Sequence, residues 1–314
     1  MKKTILRLCV LSALFLFLVA CDSGSAPKVK TSPPSANATK VKAMGTILAS
    51  SAEVWNTIST FAEPEQYMKP MIQQSTASGN GIGMVRKLET ADGAKITEQL
   101  TALDGSAMSL SYAATESSLP MNNYQSTIRV KDLGNGNCQV FWEGSFEPQT
   151  KNNLRQLQST LKETYARSIF GLKRLHMESI TIKELLEQPA EKVWAVIGTF
   201  EKVERYQQLF NFSKTVGRGK GARRFCATPE NKEFSEELVD VNRQQFYLRY
   251  EGLDSEWPMA GFESEMQLRP ISDSQCELRW TAVYKPLGDT AAELRGLVGG
   301  MLQQGAEGLK QLEY

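Results

Sequence analysis

The stretches SSAEVWNTISTFAEPEQY, Ser50–Tyr67, and QPAEKVWAVIGTFEKVERY, Gln188–Tyr206, carry the same pattern twice. Trp55, Phe61 and Tyr67 recur as Trp194, Phe200 and Tyr206, each 139 residues on. After a single-residue slip the offset becomes 138, and it carries Gly79, Gly81, Gly83, Arg86, Glu98, Tyr112, Pro120, Ser126, Cys138 and Trp142 onto Gly217, Gly219, Gly221, Arg224, Glu236, Tyr250, Pro258, Ser264, Cys276 and Trp280. One register kept over so many uncommon residue types is an internal duplication, with a unit longer than any solenoid repeat. The units run over residues 41–176 and 177–314.

Each unit reads in the same order. An alternating strand (Lys42 to Ala49; Ser179 to Leu186) runs into a short helix opened by Ser or Pro (Ala52 to Thr60; Ala190 to Thr199), and a second short helical stretch ends at Tyr67 or Tyr206. Six strand-like segments with turn signals follow, and a long helix closes the unit. In the first closing helix Leu154, Leu157, Leu161, Tyr165, Leu172 and Leu175 form a helical stripe; in the second the stripe is Leu294, Leu297, Met301, Leu309 and Leu312. The second is interrupted by Gly296, Gly299, Gly300, Gly305 and Gly308, which predicts the softer helix, since an interior glycine costs up to ~1 kcal/mol relative to alanine.

The loops GNGIGMVR, Gly79–Arg86, and GRGKGARR, Gly217–Arg224, have the look of phosphate loops. They lack the Lys-Ser/Thr of a P-loop and the dinucleotide spacing, and they lead toward an antiparallel strand, not a helix N-terminus. They read as turns that deliver Arg86 and Arg224 onto the sheet.

Strand, two short helices, six antiparallel strands and a long closing helix is the order of the START-like, or SRPBCC, superfamily. The helix pairs quoted above, GNGIGMVR, ITEQLTALD (Ile96–Asp104) and LPMNNYQSTIRV (Leu119–Val130) resemble its polyketide cyclase/dehydrase-like branch. The resemblance covers both units. It implies an α+β fold of two tandem helix-grip domains, each a curved seven-stranded antiparallel sheet wrapped around its C-terminal helix with a cavity between. Related plant hormone receptors carry a pocket latch at the loop SSLPMNNYQS (Ser117–Ser126), but its His-Arg pair is missing here, and Pro120 and Pro258 read as turn-shaping residues.

Alternate residues of a strand share a face, so the cavity lining can be assigned. Tyr112, Tyr124, Trp142 and Phe146 point inward in the first unit, and Tyr250, Phe262, Trp280 and Tyr284 in the second. Glu98 and Glu236 share the inward parity of the fourth strand with large apolar neighbours, and a hairpin turning at Asp92-Gly93 sets Arg86 nearly opposite Glu98. A buried Arg–Glu pair in each domain follows. One reading makes it a structural clamp; the other makes it the polar anchor of an apolar pocket that orients a ligand. These twelve residues are the ligand-binding candidates.

The chain opens with MKKTILR and the apolar run LCVLSALFLFLVA, an export signal over residues 1–20. It ends at Leu18-Val19-Ala20-Cys21, which resembles the lipobox of bacterial lipoproteins and implies acylation of Cys21. By that resemblance Asp22 signals retention in the inner membrane, at its periplasmic face. Residues 21–40, rich in Ser, Pro and Ala, form a flexible tether. Without Lys2, Lys3 and Arg7 the chain has 33 basic against 35 acidic residues, so no basic field recruits nucleic acid.

Apart from Cys9 and Cys21 the cysteines are Cys138, Cys226 and Cys276, an odd number that argues against a disulfide framework; the inward Cys138 and Cys276 read as small core residues. His176 is the sole histidine and lies outside the repeat. No metal-ligand spacing occurs, no cofactor is implied, and no Ser-His-Asp or Cys-His set can be assembled in both copies. A guanidinium partner weakens a carboxylate as a base, so Glu98 and Glu236 suit anchoring better than catalysis. The expected function is a membrane-anchored periplasmic lipoprotein that binds a small hydrophobic ligand, lipid, isoprenoid or polyketide-like. The alternatives are an enzyme of the cyclase, dehydratase or hydrolase type acting on such a molecule, and a non-catalytic envelope interaction module.

Overall fold

A computed structural model describes residues 38–312. The expected export signal, with Cys21 and Asp22, lies outside the described residues. The first domain runs β1 (Thr39–Ile47), α1 (Ser51–Ser59), α2 (Glu65–Met68), β2 (Ile72–Ser78), β3 (Val85–Thr90), β4 (Lys95–Asp104), β5 (Ser109–Ser117), β6 (Met121–Gly134), β7 (Asn137–Pro148) and α3 (Leu154–His176). The second runs β8 (Glu178–Leu186), α4 (Ala190–Ile197), β9 (Phe212–Val216), β10 (Arg223–Ala227), β11 (Glu233–Asn242), β12 (Tyr247–Ser255), β13 (Met259–Ser272), β14 (Gln275–Pro286) and α5 (Ala291–Gln311). Each domain is one seven-stranded antiparallel sheet, ordered β1-β7-β6-β5-β4-β3-β2 and β8-β14-β13-β12-β11-β10-β9, with its long helix on one face.

Local chemistry sets the ends of these elements. Ser50 caps α1 in a reciprocal capping box with Glu53, and Pro189 stands at the same place before α4. The glycines at 79, 81 and 83 take φ of 83°, 58° and 99°, and those at 217, 219 and 221 take 87°, 64° and 87°. Only glycine tolerates three such residues in one turn. The loop closes with Gly83 N–H on Leu100 O at 2.8 Å and Gly221 N–H on Leu238 O at 2.7 Å, and β3 or β10 follows at once. Strand β1 begins at Thr39, so the last two residues assigned to the tether belong to the sheet, where Thr39 pairs with Phe146 and Lys40 with Ser145. In the second domain the second short helix is a single 3₁₀ turn, Val203–Arg205, preceded by the left-handed Lys202.

The buried stripe of α5 differs from the expected one. Leu297 is 44% exposed and Met301 only partly buried, whereas Leu294, Val298, Leu302, Gly305, Ala306, Gly308 and Leu309 face the sheet. They stand 137 residues beyond the buried face of α3, which is Leu157, Leu161, Tyr165, Ser168, Ile169, Gly171 and Leu172; Leu175 is exposed. Close approach is the reason. A Cβ on Gly305 would collide with Trp280 and Gln207, and one on Gly308 with the Tyr206 carbonyl, as one on Gly171 would with that of Tyr67. The two glycines sit where the helix touches the sheet and the short-helix segment, so large residues cannot mark that face.

The outward face of α3 lies on the side of the second sheet away from α5. Arg167 stacks 3.6 Å over the Tyr247 ring, Asn242 Nδ2 donates to Glu163 Oε2 at 2.9 Å, and Glu263 pairs with both Lys173 and Arg249. Tyr247, Glu263 and Glu265 have outward parity in their strands and are nevertheless buried, because this contact covers them.

Candidate functional site

Register places the first polar pair. Strand β3 pairs with β4 so that Arg86 stands opposite Glu98, and β10 pairs with β11 so that Arg224 stands opposite Glu236. Arg86 Nε donates to Glu98 Oε2 at 2.7 Å and Nη1 donates to the Phe61 carbonyl at 3.0 Å. Its guanidinium carbon lies 3.9 Å from the Phe61 ring centroid and 4.9 Å from that of Tyr112. The side chains of Arg86 and Glu98 are 2% and 6% exposed, so the charges meet in a low-dielectric interior. Burial opposes the arginine's charge, but Glu98, Tyr67 and Tyr112 more than offset it, and its pKa is raised.

The second copy repeats this with one exchange of partners. Arg224 Nε and Nη2 both donate to Glu236 Oε2, at 2.8 and 2.5 Å, beneath Phe200 (4.1 Å) and Tyr250 (5.4 Å). The Phe200 carbonyl accepts from Thr215 Oγ1 at 2.9 Å instead of from the arginine. A carbonyl buried there needs a donor, and the two copies supply different ones.

Around the pair the first interior is filled. Trp142 Nε1 donates to Tyr112 Oη at 3.1 Å and Ser126 Oγ at 3.0 Å, and its ring stacks on Tyr165 at 5.1 Å. Tyr124 and Tyr165 share a hydroxyl hydrogen bond of 2.8 Å. Burial raises all three phenols, Tyr165 to about 12 and Tyr112 and Tyr124 further. Gly144 makes room for Tyr165, since a Cβ there would collide with the phenol oxygen. In the second copy Leu302 stands where Tyr165 does, and Ala282 and Phe262 replace Gly144 and Tyr124. Volume and polarity are exchanged together: the hydroxyl pair is lost as a pair, and Trp280 Nε1 keeps only Ser264 Oγ, at 2.9 Å.

Of the twelve candidates, Arg86, Glu98, Tyr112, Tyr124 and Trp142 form one connected network, and Arg224, Glu236, Tyr250, Phe262 and Trp280 form its counterpart. Tyr250 and Phe262 pack with centroids 6.4 Å apart. Phe146 and Tyr284 are fully buried but pair with the edge strands, outside that network; the Tyr284 hydroxyl has no hydrogen-bond partner. Phe61, Phe200, Ser126, Ser264 and Tyr165 belong to the site and were not among the sequence candidates. The first four repeat between copies, which was the available signal.

Three cavities stand out among the described residues, and of the twelve candidates only Phe262 lines one. The largest, about 1080 Å³, is the cleft between the domains, walled by Met44, Phe141, Lys173, Arg249, Phe262 and Glu263. A shallower one of about 480 Å³ lies on the first sheet near Lys42, Thr127 and Glu143. The third, at the domain joint, has the size of one water molecule. His176 is half-buried at the end of α3, 2.9 Å from Thr57 Oγ1. Among the described residues no group of three or more His, Cys, Asp or Glu is placed to hold a metal, and no helix is long and apolar enough to cross a membrane.

The family described as "Polyketide cyclase / dehydrase and lipid transport" matches the chain twice, over residues 38–176 and 177–312. No curated protein matches. Among solved structures, the protein XoxI from Bacillus cereus is 22% identical over 43% of this chain and 94% of its own, with a TM-score of 0.41. The di-domain ARO/CYC BexL from the BE-7585A biosynthetic pathway is 13% identical over 88% of this chain and 100% of its own, at 0.40. Norcoclaurine synthase from Thalictrum flavum is 13% identical over 43% and 85%, at 0.37.

Proposed function

The chain belongs to the polyketide cyclase/dehydrase and lipid transport family, and from that premise we propose that it is a non-catalytic binder of a small hydrophobic ligand, anchored through Cys21 at the periplasmic face of the inner membrane. The ligand class is a lipid, an isoprenoid or a polyketide-like molecule, held between sheet and closing helix in each domain. The observation that carries the reading is the doubled Arg–Glu pair. Each arginine is paired with its glutamate and roofed by two aromatic rings in a buried interior, which suits anchoring a ligand's polar end better than abstracting a proton.

The two sites differ in kind. The first offers a triad of phenols around Trp142; the second offers Leu302, Phe262 and a glycine-bearing helix, and takes the more apolar ligand. Access requires the closing helix to lift from the sheet, and in the first domain Trp142 must part from Tyr165.

A titration with acyl and isoprenoid probes tests this, followed through tryptophan emission in variants that keep Trp142 or Trp280 alone. A saturable change at one or both supports the reading, and probes that leave both spectra unaltered at saturation defeat it. Metabolic labelling with an alkynyl fatty acid, lost on Cys21→Ala, tests the anchor. A second reading also has an observation behind it: the interiors are filled as they stand and α3 is locked to the second sheet, as a rigid interaction module requires. Failure of every probe together with capture of an envelope protein selects it.

A further inference from the structure

Where α3 lies on the second sheet, the domains bury an imbalance of charge. Arg167 and Arg174 come from α3, Arg279 from β14 and Lys69 from the end of α2; with Tyr247 and Glu265 they wall a cavity of about 10 Å³ at the joint. Three guanidinium groups thus meet a single carboxylate in the cavity wall, with Lys69 exposed at its rim. Glu265 is buried and accepts the Tyr247 hydroxyl at 3.2 Å. Among the described residues no ion pair joins it to Arg167, Arg174 or Arg279, which act on it from beyond contact distance.

The guanidinium groups have unspent donors. Arg167 lies over the Tyr247 ring; its buried Nε has no hydrogen-bond partner, and its Nη2 comes no nearer than 3.8 Å to Glu163 Oε2. Arg279 Nε is likewise buried without a partner. Arg174 reaches the Lys69 carbonyl only at 3.5 Å, and burial together with the charge of Arg279 lowers its pKa. Burial raises the Glu265 carboxyl despite the arginines around it, so it is an incomplete counter-ion. Buried guanidinium N–H groups that lack acceptors, next to uncompensated positive charge, call for an anion.

We propose that this cavity is a binding site for a monatomic anion, chloride in the first instance, and that the bound ion clamps the two domains together. Its volume is that of one water-sized particle, which excludes phosphate, sulfate and organic carboxylates. Water fits the space but supplies no negative charge. A halide accepts N–H donors from several directions and neutralises one arginine, and its walls come from both domains, so its binding energy is spent on their docking.

The test uses the full chain at constant sodium concentration, with chloride exchanged for gluconate, an anion too large for the cavity. The unfolding midpoint rises with chloride along a single-site curve, and Arg279→Gln weakens the apparent affinity roughly tenfold, the worth of one charge-assisted hydrogen bond. Crystals soaked in bromide place an anomalous peak between Arg167 and Arg279. Absence of that peak at saturating bromide overturns the proposal, whether or not the variant folds. So does an Arg279→Gln protein that folds and keeps the unaltered chloride dependence.

Discussion

Removing one member of the Arg86–Glu98 pair strands the other in the interior. Glu98→Leu leaves a guanidinium over Phe61 and Tyr112 with the Phe61 carbonyl but no carboxylate to bind; Arg86→Met leaves a carboxylate buried among apolar neighbours. Breaking a buried pair from one side costs about 3–5 kcal/mol. That is a large share of the ~5–15 kcal/mol that holds a domain together, and at this domain size it lowers the midpoint by about 10 °C. The double variant Arg86→Met/Glu98→Leu buries no stranded ion. Its remaining deficit is the unsatisfied Phe61 carbonyl, about 1–3 kcal/mol, so the cycle returns a coupling of about 3 kcal/mol or more. In the second domain, Arg224→Met/Glu236→Leu recovers more fully, because Thr215 keeps the Phe200 carbonyl paired. Chemical unfolding with hydrogen exchange read by domain measures each corner. Single variants within about 1 kcal/mol of the parent, or a double variant as damaged as the sum of its singles, refute the reasoning.

Along α5, Gly305→Ala and Gly308→Ala force a Cβ into Trp280 and the Tyr206 carbonyl and cost about 3 kcal/mol or more, whereas Gly296→Ala and Gly300→Ala, with open space around them, stabilise the helix by about 0.5–1 kcal/mol in the same unfolding assay. Burial pushes the Cys138 and Cys276 thiols up to about 11 and that of Cys226 up to about 12, so a disulfide reagent at mildly alkaline pH labels none of the three until the protein unfolds, as mapped by peptide mass. The Tyr165 phenol, raised by burial from 10.0 to about 12, binds its proton more tightly folded than unfolded; the stability it contributes is present below pH 10 and falls as pH rises toward 12. Phenolate absorbance then appears together with loss of tertiary signal, and a smooth titration of all tyrosines near pH 10 in folded protein is the contrary result.

How much of this was legible in the sequence depends on the range over which each feature is fixed. The facing of Arg86 and Glu98 is local: a short turn around Asp92-Gly93 and a period of two bring them together, and the same parity predicts Tyr112, Tyr124 and Trp142 as inward. The buried face of α5 was assigned only in part, correctly at Leu294 and Leu309 and not at Leu297, because glycine carries no hydropathy and its role at 305 and 308 is to be absent. The filling of the first interior rests on a complementary exchange, Gly144 with Tyr165 against Ala282 with Leu302, between residues that become neighbours only once the helix is seated. Burial of Tyr247, Glu263 and Glu265 was hidden for a similar reason: within their own strands they face outward, and only docking of α3 removes them from water.

The central claim is that the two grips hold apolar ligands. Native mass spectrometry of the full chain purified from its own host, paired with solvent extraction of the same sample, tests it most directly. The account predicts one or two extra masses per chain that disappear on extraction and reappear in the organic phase as a lipid, isoprenoid or polyketide-like compound. A chain at its bare processed mass, with an empty extract and no uptake of any such compound offered to it, contradicts the account.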